Sequence, residues 1–341
     1  MGAEADADVP GTVARSFQHS VDQGFIHLYA ATATHHIDND PPKFPQTGHI
    51  VAQLKDKPAV PPATPDLEHR RDRDPLAGPE FGPGEHVLDL TASSGAPYAI
   101  VHNLHALAPE HAMLIPLFGD DPARFRPQTS GLTQDDLGTA WRVVKAYADQ
   151  GREATMFFNG GPLAGASQPH LHMQFIPFQH SRPPGPEALA RACASPTSFT
   201  VPARLALPWV NLYLPVPASP SPAALFATYT ALLAARDALL AARPAETLPP
   251  PGAKRNSHNV FLTAQHMHLV PRTNRLARVP RVGSAAPGQD AGADAFGISL
   301  NGLLYLGYWY AATEAEWRDM RRLGLASVLR GAAYANEEYE E

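Results

Sequence analysis

This sequence predicts an α+β fold in which two related half-units share one sheet and helices pack against it. Three observations carry that reading. Strand-type alternation recurs in six short segments, two helices mark their own ends, and a hairpin pattern in the first half of the chain is echoed in the second. A length of 341 residues allows one large domain or two ordinary ones, and 44% hydrophobic residues can fill a core of that size.

The alternating segments are residues 98–101, 111–117, 155–158, 170–178, 259–263 and 266–270. In the first hairpin, His102-Asn103-Leu104 is followed by Pro109-Glu110-His111-Ala112-Met113-Leu114-Ile115-Pro116. In the second, His258-Asn259-Val260 is followed by Ala264-Gln265-His266-Met267-His268-Leu269-Val270-Pro271, so both end in proline. Only the first half-unit keeps catalytic side chains on this reading. Thr133 and Asp136 have the spacing of a capping box, and Leu137, Trp141, Val144 and Ala148 follow at helical spacing until Gly151. A second helix starts at Ser221-Pro222 and runs through Leu225, Tyr229, Leu232, Leu233 and Leu240 to Pro244. Arg236 and Asp237 keep its apolar run short of the ~20 residues that a membrane span needs. Trp141 and Trp317 read as core residues on helix faces, Met113 and Met267 as strand fillers. Residues 296–310 form a further apolar segment.

The 36 prolines crowd into residues 58–83, 183–222 and 244–251, which read as surface loops or linkers, and residues 280–294 read as a polar loop of small residues. Cys193 is the only cysteine, so no intrachain disulfide can form and a reducing compartment is expected, the cytoplasm first and the nucleus second. The acidic start of the chain has no apolar run of the kind a secretory signal needs. A net charge of -6 argues against a general nucleic-acid binder, so an anionic small molecule would have to be held by local groups.

Those groups sit between Asn159 and Pro177. Along a strand, His170, His172 and Gln174 face one way while Leu171, Met173 and Phe175 face the other, about 6.7 Å separating alternate residues. Just upstream, Gly160, Gly161 and Gly165 let backbone amides approach phosphate oxygens, and Asn159, Ser167 and Gln168 add neutral donors around Ala166. Neutral imidazole is a good nucleophile for a nucleotidyl group, because the phosphoramidate it forms is labile enough to pass on. One ring nitrogen can attack only if an acceptor, expected to be a backbone carbonyl, fixes the proton on the other. A second H-x-H, His266 and His268, has no glycines upstream and reads as structural. Even with His258 it lacks a well-defined zinc ligand set, and no metal site is expected. Lys55, Lys57 and Arg272 read alone as solvated charges.

The run from Asn159 to Gln174 resembles the histidine-triad superfamily, whose strand motif alternates His and apolar residues with the middle His as nucleophile. Gln174 occupies the third triad position, as in the superfamily's transferase branches, and the run is most similar to the fungal-type ATP adenylyltransferases, the diadenosine tetraphosphate phosphorylases. The segment Gln53-Leu54-Lys55-Asp56-Lys57-Pro58, Asn103 with Glu110-His111, and residues 257–272 and 298–302 resemble other parts of that family. Gly160-Gly161 in place of a Ser-Gly pair and His266 in place of an aromatic residue depart from it.

The resemblance implies a histidine-triad-like antiparallel sheet, with residues 1–200 carrying the catalytic region and residues 201–341 completing the sheet. It implies phosphorolysis of diadenosine tetraphosphate to ATP and ADP, with His172 as nucleophile flanked by His170 and Gln174. Asn159, Gly160, Gly165, Ala166, Ser167 and Gln168 would line the phosphates and Lys55 or Lys57 would neutralise them. Magnesium would accompany the polyphosphate, and the expected partners are dinucleoside polyphosphate, phosphate, ATP and ADP, with no membrane and a monomer or small homo-oligomer. Two alternatives stand beside it. One is a hexose-1-phosphate uridylyltransferase, a group that typically has His-Pro-His and metal-binding cysteines absent here. The other is a nucleotide sensor that binds without turnover.

Overall fold

The computed structural model describes residues 8–38, 44–56, 76, 81–118, 125–193, 201–252, 254–281 and 295–339. Its centre is a nine-stranded sheet built from β4 (His86–Thr91), β5 (Pro97–His102), β7 (Ala112–Pro116), β8 (Ala154–Gly160), β9 (Met173–Pro177), β10 (Ala203–Arg204), β11 (Leu212–Pro215), β12 (His258–Leu262) and β13 (His266–Pro271). Every pairing in it is antiparallel, in the order β10-β11-β13-β12-β8-β9-β7-β5-β4. All six expected strand segments lie in it.

Strands β8 and β12 pair at the middle, Asn159 opposite Asn259, and the hairpins β8–β9 and β12–β13 flank that seam. The topological counterpart of the second hairpin is therefore β8–β9. The sequence echo matched it to residues 102–116, because short apolar runs ending in proline look alike and only strand order tells them apart.

Three helices cover one face: α1 (Val9–Asp22), α2 (Gln134–Asp149) and α4 (Pro222–Ala241), which bury Val9, Val13, Leu137, Val144, Leu225 and Leu232 against Met156, Phe158, Met173 and Val260. The opposite face carries α3 (Gly185–Ala192), α5 (Gly302–Tyr305), α6 (Glu314–Leu323), α7 (Leu325–Arg330) and a small sheet of β2 (Ala33–Ile37), β3 (Gln46–Ile50) and β16 (Tyr308–Ala311). Two-stranded ladders join β1 (His27–Leu28) to β6 (His105–Ala106) and β14 (Leu276–Pro280) to β15 (Ala295–Ser299).

Both expected helices form as their caps dictate. Thr133 Oγ1 accepts from Asp136 N at 3.3 Å and Asp136 Oδ2 accepts from Thr133 N at 2.7 Å. Asp136 is fully buried and also takes the Arg126 guanidinium at 2.6 Å and the Tyr98 hydroxyl at 2.8 Å. Ser221 Oγ accepts from Ala224 N at 3.1 Å to start α4. By length and composition alone α4 could cross a membrane, but it lies along β11, β13 and α2 with Leu225, Tyr229, Leu232 and Leu240 buried. Helix α1 escaped the sequence reading, although Val9, Val13 and Phe17 stand at four-residue spacing on its buried side.

The expectation of loops across residues 183–222 needs correction. The stretch holds α3, β10 and β11, and Leu205, Leu207, Trp209 and Val210 are all at most 1% exposed. Its prolines sit where they cost little, Pro186 for example within the first turn of α3, whose amides have no helical partner. Most of the expected loop at residues 58–83, and residues 282–294 of the other, lie outside the described residues. The apolar segment 296–310 divides among β15, α5 and β16.

Two measurements check this account. Thr133→Ala should lower stability by about 1 kcal/mol, a lost cap, and Asp136→Ala by about 3 kcal/mol, because it also strips Arg126 of a buried partner. Equal shifts in urea midpoint would show that the buried pair adds nothing.

Burial, aided by the Arg236 guanidinium, lowers the buried His258 to about 4 from 6.5, and burial alone lowers His102 to about 4. Between those values the unfolded chain holds the extra protons, so stability is full above pH 6.5 and falls as pH drops towards 4. For His258 the loss is on the order of 3 kcal/mol. A urea midpoint independent of pH from 7 to 4 would contradict it.

Candidate active site

The apolar half of the predicted alternation is where expected, with Leu171, Met173 and Phe175 at most 2% exposed in the core beneath α2 and α4. The strand itself starts later than residue 170. His170 forms an isolated bridge to Pro127, and β9 begins at Met173. Two neighbours hold the intervening backbone instead: Leu171 N donates to Arg126 O at 2.8 Å and His172 N donates to the side-chain Oε1 of Gln128 at 2.8 Å.

His172 Nδ1 lies 2.8 Å from His170 O, a backbone carbonyl acceptor of the kind the sequence predicts behind that ring. Nδ1–H donates there, so in the neutral ring the lone pair sits on Nε2. His170 Nε2 lies 3.1 Å from Pro116 O, and its ring packs between Phe118 and Phe125. Its imidazole is an anchor to β7. Gln174 is oriented from the far side. His111 Nδ1 accepts from Leu107 N at 3.4 Å, so Nε2–H donates to Gln174 Oε1 at 2.9 Å, and Asn103 Nδ2 donates to the same oxygen at 3.5 Å. With its oxygen committed, what Gln174 can offer a phosphate is its NH2 group.

Gln128, which sequence reasoning missed, joins the glycine turn to the histidines. Its Nε2 donates to Asn159 O at 3.1 Å and His172 O at 3.2 Å, its backbone carbonyl accepts from Gly161 N at 3.3 Å, and its backbone N donates to Pro169 O at 2.7 Å. One 4% exposed amide thus spans both parts of the site. Nothing in Pro127-Gln128-Thr129 advertises this, since the contacts are all distant in sequence.

The turn is braced from behind. Asn159 Oδ1 accepts from Asn259 Nδ2 at 2.8 Å and from Gly302 N at 2.9 Å. Gly165 has φ +85°, and a Cβ there would meet Leu300 O at 2.5 Å, so this glycine is needed by the backbone packed against it. Gly160 ends β8 opposite His258, Ala166 and Gln168 are half-buried, and Ser167 is exposed. Lys55 is exposed on the 3-10 turn Ala52–Asp56 and bonds to none of these groups among the described residues, while Lys57 lies outside them.

Arg272, read from sequence as a solvated charge, is 0% exposed. Its donors reach Ala332 O at 2.8 Å, Asn259 Oδ1 at 2.7 Å, and Asn274 O and Leu300 O at 2.9 Å each, and Tyr305 lies under the guanidinium. It holds the second half-unit behind the turn. His172 is itself only 1% exposed, and cavities of about 420 and 490 Å3 lie elsewhere, the larger bordered by Pro116 and Arg126, whose carbonyls hold the His170-Leu171 segment.

Residues 81–189 match the Ap4A phosphorylase N-terminal domain and residues 205–335 match the ATP adenylyltransferase C-terminal domain. The chain belongs to the Ap4A phosphorylase family, whose members are nucleotidyltransferases. Among its relatives is the diadenosine 5',5'''-P1,P4-tetraphosphate phosphorylase 2 of Saccharomyces cerevisiae, 32% identical over 131 residues. That alignment spans 34% of this chain and 38% of the yeast protein. Protein APA1 of the same yeast is 25% identical over 298 residues, covering 83% of this chain and 85% of APA1. The fold is shared with solved structures of yeast Ap4A phosphorylase Apa2. The complex with AMP has a TM-score of 0.72 at 19% identity, covering 98% of this chain and 99% of Apa2. The complex with Ap4A has 0.70 at 19%, covering 96% and 98%.

Within this family member, the hydrogen bonds fix three imidazole tautomers. Nitrogen-15 NMR should show His172 protonated at Nδ1, and His170 and His111 at Nε2. A His172 ring protonated at Nε2 alone would contradict the hydrogen bond to His170 O.

Proposed function

We propose that this chain catalyses the reversible phosphorolysis of Ap4A to ATP and ADP through an AMP–His172 intermediate. The observation that carries the proposal is the Nδ1–His170 O hydrogen bond of 2.8 Å, which makes Nε2 the nucleophilic atom. In the first step Nε2 forms a bond to an α-phosphorus of Ap4A, the bond from that phosphorus to the bridging oxygen breaks, and ATP departs. His172 need not lose a proton. The ring becomes cationic when it takes up AMP, and the His170 carbonyl already faces Nδ1–H to balance that charge. In the second step a phosphate oxygen attacks the same phosphorus, the P–N bond breaks, and ADP leaves with the imidazole neutral again.

The other residues divide the work. The Gln174 NH2 faces the non-bridging oxygens, and the backbone amides of the turn from Gly165 through Ala166 and Ser167 to Gln168 receive the flanking phosphates, with Asn159 and Gly160 leading into it. Lys55 and Lys57 offset the charge of a substrate that arrives as its magnesium salt. Because His172 is 1% exposed, the segments over it must part to admit nucleotide and close again. That closure serves the chemistry, since water kept from the adenylylated ring cannot compete with phosphate.

Incubation with Ap4A and separation of the nucleotides tests this. Phosphate-dependent ATP and ADP support it. Hydrolysis to AMP by water, or bound Ap4A that is never turned over, sinks it. His172→Ala should bind Ap4A and lose turnover. Gln128→Ala should lower kcat by about 100-fold with KM little changed, since a misplaced reacting group costs that much without weakening remote contacts. An unaltered kcat would show that the amide bridge does not set the geometry.

A further inference from the structure

The second H-x-H has a feature that the adenylyl-transfer reading does not use. His266 and His268 alternate on β13 so that both face α3, which brings Glu187 between them. The three are 7%, 1% and 1% exposed, in the order His266, His268, Glu187. Glu187 Oε2 lies 3.2 Å from His266 Nδ1 and 3.2 Å from His268 Nε2, while Oε1 accepts from Arg191 Nε at 2.7 Å. Each residue offers one ligand atom, and all three atoms fall within 4.8 Å of one another, close enough to share one small cation.

The surroundings of His268 are compatible with the same arrangement. His268 Nδ1 faces Asn211 Oδ1 at 3.4 Å, and an N–H there leaves the lone pair of a neutral ring on Nε2. That lone pair then opposes a carboxylate oxygen at 3.2 Å. A cation between them turns the opposition into coordination, with the Asn211 carbonyl and Arg191 orienting the ligands from behind, as carbonyls and hydrogen-bonded carboxylates do around metal-bound histidine. Two imidazoles and one carboxylate suit borderline divalent ions better than magnesium or calcium, which prefer oxygen ligands alone.

We propose that Glu187, His266 and His268 bind one divalent transition-metal ion, zinc or ferrous iron, which fastens α3 to β13. The sequence reading expected no metal, because it saw the two histidines without the glutamate that lies about 80 residues upstream and joins them only in the fold.

The full chain is incubated with zinc sulfate, or anaerobically with ferrous sulfate, then desalted and its metal measured. About one equivalent of at least one metal should remain, and Glu187→Gln and His268→Ala should each lower it at least about tenfold, while His172→Ala keeps it. A chelator should lower the Tm of the wild type. If either variant fails to fold, X-ray absorption of the wild-type metal decides, with two imidazoles and a carboxylate expected in the first shell. Less than a tenth of an equivalent with both salts, equal metal in folded variants and wild type, or a shell without two imidazoles overturns the proposal. Metal content is read apart from turnover, so an inactive protein that holds the ion would refute the adenylyl-transfer reading and leave this one standing.

Discussion

The seam where β8 meets β12 is the constraint on which the rest of the molecule depends. Across it Asn259 donates to Asn159, and Arg272 donates to Asn259, so a chain of neutral acceptors ends on a guanidinium sealed from water. Burying such a charge without a carboxylate is tolerable only because carbonyls surround it: those of Ala332, Asn274 and Leu300 each take one of its donors. The seam therefore couples the C-terminal segments to the strand that leads into the glycine turn. Neither half of the chain completes the site alone.

From that seam the geometry passes through Gln128 to His172. An amide suits the position because it donates to two carbonyls and accepts from an N–H in one rigid plane, which a carboxylate or an ammonium could not do. The opposite end of the His-Leu-His-Met-Gln row is set by His111 and Asn103 acting on Gln174. Between these supports the three polar side chains are held in place by their neighbours and need no flexibility of their own.

Much of this was legible in the sequence because it is local. The capping box at Thr133, the Ser221-Pro222 start, the apolar Leu171, Met173 and Phe175, and the carbonyl beside the His172 ring all follow from residues within a few positions of one another. What the sequence hid is contact between distant segments. Gln128 reaches residues 31 and 44 positions away, Arg272 looked like a surface charge until Leu300 and Ala332 closed over it, and prolines at tolerated positions disguised the buried run around Trp209. The hairpin echo failed for a related reason, since pairing order in a sheet is a non-local property.

The acceptor for His172 Nδ1 belongs to the main chain of residue 170. Where a carboxylate orients a reactive imidazole, a point substitution can delete it, and its own ionisation makes the arrangement depend on acidity. A peptide carbonyl can be neither mutated away nor titrated. Side-chain variation at position 170 should thus be felt through the clasp on Pro116 and the two phenylalanines, while the protonation pattern of the neighbouring ring is inherited from the backbone whatever residue stands there.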